Sequence, residues 1–236
     1  MRSAPLPTTT RTRAASRAAL FLAVPTVLLL VLVAAEWGPL LGLDGDIART
    51  THRWAVAHDG ATRTARILTD WVWDPWTMRA LCTAVVLWLV ARHRAWLLAG
   101  WLAATCLMGT LVQQGMKAAV GRDRPKWPDP VDSAHFAAFP SGHAMTATVV
   151  CGLLLWLMRL HGVGALLWRG SLAVAVLSVV GVGLTRVWLG VHWMSDVVEG
   201  WLLGALAVAL AVAAYERQVP EERRPGRRGT DRPAAD

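Results

Sequence analysis

The chain has 236 residues, of which 55% are hydrophobic and only 17% are charged, and its mean hydropathy is +0.40. A soluble domain of this length carries more charge, so the composition excludes an ordinary soluble globular protein and indicates a helical membrane protein with several spans. The formal net charge of +8 lies largely in the polar tails and short loops. Such basic segments are typical of membrane topology and of contact with anionic lipids, and we predict no binding to nucleic acid.

The chain begins with a polar segment, residues 1–17, that carries four arginines and no acid, and an apolar run follows over residues 18–38. A basic start before an apolar run is also the pattern of a cleaved signal peptide, but this run is longer than the usual hydrophobic region of such a peptide. We therefore predict a cytoplasmic polar tail and a retained first membrane helix, and cleavage stays the alternative.

Five further apolar runs are each near the length of about 20 residues that a helix needs to cross a membrane. A mixed polar segment at 39–77 is predicted to be an extramembrane loop with a short amphipathic helix, and 121–140 forms a second loop rich in Pro and Asp. The sequence predicts an all-α domain of six transmembrane helices over 18–215 and a disordered basic tail over 216–236. The predicted spans are 18–38, 78–91, 95–119, 142–160, 170–187 and 193–214.

The distribution of basic residues predicts the orientation of these spans. Six spans place both termini on the same side of the membrane, and the tails and turns on that side carry more Lys and Arg than the loops opposite. The positive-inside rule then predicts a multi-pass protein of the plasma membrane with both termini in the cytoplasm. Three clusters of polar residues at the ends of the apolar runs would lie together on the extracytoplasmic face.

The three cysteines predict no special chemistry. Cys82, Cys106 and Cys151 each lie inside an apolar run, without a CxxC pair or a nearby group of histidines. We therefore predict neither a disulfide framework nor a zinc site.

The polar cluster nearest the C-terminus contains His192 and Asp196. Residues four apart on a helix share a face, so the carboxylate can orient the imidazole and leave its other nitrogen free as a nucleophile. Arg186 precedes this pair by six residues and can fold back toward the same point. Taken alone, the same spacing also fits an ordinary ion pair at the start of a helix.

A second cluster, Pro140-Ser141-Gly142-His143, stands immediately before an apolar run. Ser141 is suited to cap the helix, whose first N–H groups would then favour an anion. Gly142 allows a ligand to approach the backbone, and a protonated His143 can donate to a departing oxygen. The alternative is an ordinary helix cap with an incidental histidine.

The remaining cluster, Lys117 and Arg124-Pro125, supplies cations at the end of the third predicted span. A bidentate arginine and a point-charge lysine suit a tetrahedral oxyanion. The alternative is that these side chains extend to the membrane interface, which is our prediction for Arg122 and Lys126.

Together the three clusters resemble the signature of the type 2 phosphatidic acid phosphatase superfamily, K-x6-RP, PSGH and SR-x5-H-x3-D. In this chain the signature extends over 117–125, 140–143 and 185–196, and it departs from the family only at Thr185, where serine is usual. The resemblance implies an all-α bundle of the fold shared with vanadium haloperoxidases, which are generally soluble.

The resemblance also implies a membrane phosphatase that works through a phosphohistidine intermediate, without a metal or other cofactor. His192 would attack phosphorus, Asp196 would hold its ring, and His143 would protonate the leaving oxygen and later activate water. The implied substrate is a lipid phosphate, such as phosphatidic acid, or a polyprenyl diphosphate, and the sequence predicts no oligomeric state. The residues implied to bind the phosphate are Lys117, Arg124, Ser141, Gly142 and Arg186.

Two other functions remain open from the sequence. A phosphotransferase of the same fold would pass the phosphoryl group to an acceptor other than water. A non-catalytic anion-binding membrane protein would use the same cations without turnover, although charges at one membrane face fit a permeation pathway poorly.

Overall fold

The computed structural model describes residues 8–219, and the side chains of residues 13–219. This part of the chain is all-α, as the sequence predicts, and contains eight α-helices and one π-helical turn. The helices are α1 (Thr8–Ala34), α2 (Gly38–Ala57), α3 (Asp59–Ile67), α4 (Pro75–His93), α5 (Trp96–Val120), α6 (Gly142–Leu160), α7 (Ala165–Trp188) and α8 (Met194–Gln218), and the π-helical turn is Leu68–Val72.

The number of membrane-spanning helices differs from the sequence prediction. In the described part of the chain, five helices are long and apolar enough to cross a membrane: α1, α5, α6, α7 and α8. The predicted span 78–91 lies in α4, which does not qualify because its 19 residues include Arg79, Arg92 and polar ends. By length and apolar composition, the structure therefore supports five of the six predicted spans.

Helical structure extends into both predicted tails, whose boundaries stay predictions. Helix α1 already begins at Thr8, and α8 continues to Gln218. The remainder of the two predicted tails, residues 1–7 and 220–236, lies outside the described residues.

The predicted loop over 39–77 is largely helical. Pro39 lies in the first turn of α2, where a proline costs no hydrogen bond. The buried residues of α2 form one stripe with helical spacing, and α2 packs against α7 and α8. The members of this stripe are Asp44, Ala48, His52 and Ala55.

Helices α6 and α8 approach each other closely through small residues. A Cβ atom on Gly200 would lie 2.7 Å from the carbonyl oxygen of Ser141, and one on Gly204 would lie 2.7 Å from Cβ of Thr148. Small residues allow such close backbone contact between membrane helices, where van der Waals packing drives association. Any side chain at Gly200 would therefore move the start of α6.

The polar clusters meet at one end of the bundle because consecutive helices alternate in direction. Lys117 lies in the last turn of α5 and Arg186 in the last turn of α7, whereas His143 and Asp196 lie in the first turns of α6 and α8. The backbone N–H of Ser141 donates to the carbonyl of Asp196 over 2.9 Å, which ties the starts of α6 and α8 together.

Candidate active site

The site is centred on the imidazole of His192, which is only 2% exposed. Its Nδ1 lies 3.3 Å from Oδ2 of Asp196, whose carboxylate is fully buried. The same oxygen accepts a hydrogen bond from the backbone N–H of Trp193 over 2.9 Å. The carboxylate therefore caps the start of α8 and orients the histidine ring at the same time.

The other ring nitrogen faces a guanidinium group. Nη1 of Arg124 lies 3.1 Å from Nε2 of His192 and also donates to the carbonyl of Val191 over 2.6 Å. Arginine has no acceptor atom, so Nε2 must accept and carries a lone pair. The proton of the neutral ring consequently lies on Nδ1, toward Asp196, and the nucleophilic nitrogen points to the cations.

Electrostatics keep this imidazole neutral. Burial lowers the pKa of His192 well below its ordinary value, and the positive charges of Arg124, Arg186 and Lys117 lower it further. Burial, with the charge of Arg186, also lowers the pKa of Arg124 to about 10. A neutral histidine among three cations is suited to attack a bound dianion.

The two remaining predicted cations reach the same region from neighbouring helices. Lys117 Nζ donates to the carbonyl of Ala137 in the loop between α5 and α6. Arg186 is 4% exposed, and its Nη1 lies 3.8 Å from Oδ2 of Asp132. Nε of Arg186 has no hydrogen-bond partner within residues 13–219 and can still donate to a ligand.

His143 lies within electrostatic reach of His192 and of the three cations. Its Nε2 is 3.9 Å from Oδ2 of Asp74, whose other oxygen caps α4 by accepting from the N–H of Trp76 over 2.8 Å. Partial burial and the neighbouring charge of Asp132 raise the pKa of Asp70 above its ordinary value. The carboxylates of Asp70, Asp74 and Asp132 therefore all lie close enough to Arg186 to interact with its charge.

Ser141 and Gly142 occupy the predicted position at the start of α6, but their contacts differ from the prediction. Ser141 is the N-cap residue, yet its side chain makes no capping hydrogen bond, and Oγ is buried without a partner among the residues described. A Cβ atom on Gly142 would lie 2.8 Å from Nε2 of Gln113 on α5. This atom is the far end of a flexible side chain that can shift, so packing alone does not require glycine here.

Arg122 belongs to the site, although the sequence predicts a position at the membrane interface for it. Nη1 of Arg122 instead donates to Oδ1 of Asp196 over 2.7 Å, and Nη2 donates to Oδ2 of Asp44 over 2.8 Å. The one available signal for Asp44 is the spacing of four between it, Ala48 and His52, which places all three on one helical face. No local pattern indicates that Arg122 turns inward.

Comparison with known proteins identifies the family. The sequence profile of the PAP2 superfamily matches residues 95–220, which include all three polar clusters. The chain belongs to the PAP2 superfamily. The family match begins at α5, so α1 to α4 and the residue Asp44 lie outside it.

Relatives of this PAP2 protein act on lipid phosphates according to their names. A decaprenylphosphoryl-5-phosphoribose phosphatase of Mycobacterium tuberculosis is 35% identical over 138 residues, which are 57% of this chain and 68% of that protein. The phosphatidylglycerophosphatase B of Bacillus subtilis is 31% identical over 109 residues, which are 45% of this chain and 53% of that protein.

A solved structure has the same fold. The transmembrane PAP2-type phosphatidylglycerolphosphate phosphatase from Bacillus subtilis aligns with a TM-score of 0.71 at 21% identity, over 84% of this chain and 97% of that chain. Together with the five apolar helices, this similarity identifies the chain as a membrane protein with the PAP2 fold.

Proposed function

We propose that this protein is a membrane lipid phosphate phosphatase that uses His192 as its nucleophile. The observation that carries the proposal is the environment of His192, whose Nδ1 faces Asp196 and whose Nε2 faces Arg124. A histidine in this tautomer, held by a buried carboxylate, is the arrangement that nucleophilic attack on a phosphorus atom requires.

The reaction has two steps. Nε2 of His192 attacks phosphorus, the bond from phosphorus to the lipid oxygen breaks, and protonated His143 donates its proton to that oxygen. His143 then accepts a proton from water, the resulting hydroxide attacks the phosphohistidine, and inorganic phosphate leaves with His192 restored. Asp196 stabilises the positive charge that develops on the His192 ring.

Lys117, Arg124 and Arg186 bind the oxygens of the transferring phosphoryl group in this proposal. Their three charges offset the charge of the transition state, which is the role that metal ions have in other phosphoryl-transfer enzymes. Ser141 Oγ and the backbone at Gly142 supply further donors at the start of α6. We therefore propose that turnover requires no metal or other cofactor.

An apolar groove supports a lipid as the substrate. The groove lies between α5 and α8 and has a volume of about 440 Å³. It is lined by Met145 near the start of α6 and extends to Trp101 and Ala214 toward the opposite end of the bundle. We propose that the chain of a lipid whose phosphate is bound at His192 lies in this groove. From the names of the relatives, we propose a phosphorylated polyprenyl or glycerol lipid, including its diphosphate.

We further propose that both termini are cytoplasmic and that the site opens on the extracytoplasmic face. We also propose that α4 is the sixth span, because it packs against α5 and α6. A green fluorescent protein fused to the C-terminus should then fluoresce in cells. A dark fusion together with an active periplasmic reporter at the same position would contradict this orientation.

The central experiment is an assay of the purified protein in detergent with a panel of lipid monophosphates and diphosphates. We expect release of inorganic phosphate and a preference for one class of lipid. Phosphate on another acceptor would identify a phosphotransferase instead. Binding of these lipids without any chemical change would contradict an enzymatic function.

A further inference from the structure

Arg122 lies between two buried carboxylates, Asp44 of α2 and Asp196 of α8. The arginine donates to both, over 2.8 and 2.7 Å, and the side chains of the two acids are 2% and 0% exposed. The side chain of Arg122 itself is only 12% exposed. An ion pair network with this degree of burial is screened little by solvent, so its geometry is strongly constrained.

Ser195 extends the network into the backbone of α8. Its N–H donates to Oδ1 of Asp44 over 2.9 Å, and its hydroxyl donates to Oδ2 of the same residue. Nη1 of Arg122 donates to the Ser195 hydroxyl oxygen over 2.7 Å. Asp44 is therefore joined to the first turn of α8 both directly and through Arg122, although it lies outside the residues that match the family.

We propose that Arg122 and Asp44 are positioning residues for the nucleophile and that they act through Asp196. This inference rests on the function proposed above. Arg122 holds Oδ1 of Asp196, which leaves Oδ2 directed at the ring of His192. Asp44 in turn holds the guanidinium of Arg122, so that its direction is fixed from the opposite side.

The charges of Arg122, Asp44 and Asp196 explain why the orientation of His192 should depend on Arg122 in particular. With Arg122 present, two carboxylates and one cation leave a net charge of about −1 in a buried space, whereas its removal leaves about −2. Without the cation, Asp196 is expected to rotate or to take up a proton, and it then ceases to orient Nδ1–H of His192. Loss of Asp44 alone leaves the Arg122–Asp196 pair neutral and is expected to do less harm.

The first experiment compares Arg122→Gln, Arg122→Lys and Asp44→Asn with two exposed controls. We expect Arg122→Gln to lower kcat on the order of 100-fold, the scale of a misplaced reacting group, with KM within a few-fold of the wild type. Arg122→Lys and Asp44→Asn should keep more activity. Asp46→Asn, on the same helix as Asp44, and Lys126→Gln, in the same loop as Arg122, should not change kcat, because both side chains belong to exposed pairs.

A double-mutant cycle distinguishes two roles of Arg122: positioning of Asp196, and stabilisation of the packing between α2 and α8 alone. If Arg122 acts through Asp196, Arg122→Gln should lower kcat only slightly in an Asp196→Asn background, because the effects of residues that act as a unit do not add. Full additivity would overturn the proposal, and so would an unchanged kcat in Arg122→Gln. Adding Asp44→Asn to Arg122→Gln should recover part of the lost rate, since it removes the surplus buried charge.

A measurement without turnover keeps this proposal distinct from the proposed phosphatase function. The ¹⁵N chemical shifts of histidine-labelled protein report which ring nitrogen of His192 carries the proton. We expect Nδ1–H in the wild type and a mixture of the two tautomers in Arg122→Gln that remains folded by its thermal unfolding curve. An unaltered tautomer would overturn the positioning role even in an active enzyme, whereas a wild type that releases no phosphate would contradict the phosphatase function alone.

Discussion

The guanidinium of Arg124 donates to Nε2 of His192 over 3.1 Å, so the group that would bind phosphate oxygens touches the atom that would attack phosphorus. Arg124 is fixed by the loop before α6, since its Nε also donates to the carbonyl of Phe136 over 2.9 Å. A phosphoryl group bound by Arg124 therefore arrives next to Nε2. Such proximity removes much of the entropic cost of bringing nucleophile and phosphorus together.

Replacement of the nucleophile is expected to abolish turnover. His192→Ala should lower kcat by several powers of ten, roughly the effect of removing a covalent nucleophile in other enzymes, as measured by phosphate release. His161→Ala is the matched control, because His161 is the C-cap residue of α6, at the end of the helix opposite to the site, where its ring hydrogen-bonds to the carbonyl of Leu157. Comparable rates in His192→Ala and the wild type would remove the phosphohistidine mechanism.

The orienting carboxylate should matter almost as much as the nucleophile. Asp196→Asn presents an amide that can stabilise the wrong tautomer of His192. We therefore expect kcat to fall on the order of 10³- to 10⁴-fold, which is the scale of the same replacement in the Ser-His-Asp triad of serine proteases. Binding of substrate should change little, since Asp196 faces the ring and not the phosphate. Steady-state kinetics that show a higher KM and a normal kcat would contradict this role.

Asp132 is expected to compete with the substrate for Arg186. Its carboxylate lies 3.8 Å from Nη1 of that arginine. Asp132→Asn should therefore lower KM several-fold, because the phosphate no longer has to displace a like charge at ~4 Å. Asp123→Asn, which removes an exposed partner of Lys126 in the same loop, serves as the control and should leave KM unchanged. An increase in KM for Asp132→Asn would indicate that Asp132 instead helps to hold the site.

The low pKa of His192 predicts how stability depends on pH. The folded-state pKa lies well below 6.5, so below pH 6.5 the unfolded chain binds a proton that the folded protein does not. The contribution of His192 to stability is thus complete above pH 6.5 and is lost as the pH falls. Thermal unfolding in detergent should show a smaller decrease between pH 7 and 5 for His192→Asn than for the wild type. Equal pH dependence of the two proteins would contradict a neutral buried imidazole.

Removal of metals and addition of a phosphate analogue test the roles of the three cations. Because Lys117, Arg124 and Arg186 are proposed to stabilise the transition state, EDTA should leave phosphate release unchanged. Orthovanadate should inhibit in competition with the substrate. Loss of activity with EDTA and recovery with a divalent ion would show that the cations alone do not suffice.

Local patterns predicted much of the helical architecture. The predicted span 142–160 coincides with α6, Gly142–Leu160, because the apolar run is bounded by Ser141 and by His161 with Gly162. The segment 39–77 was predicted less well, since α2 and α3 are amphipathic and rich in polar residues. Such helices become stable by packing their one apolar or buried face against other helices, which hydropathy alone does not reveal.

The sequence by itself determined the family, the apolar helices and the set of eight residues proposed to form the site, since all of these depend on residue type and local spacing. Only the tertiary structure decided which charged groups meet. Asp44 and Arg122 are 78 residues apart, and their contact depends on how α2 packs beside α8. In a buried site of several arginines and carboxylates, every opposite pair is compatible with the charges, and the relative position of the helices selects the pairs that form.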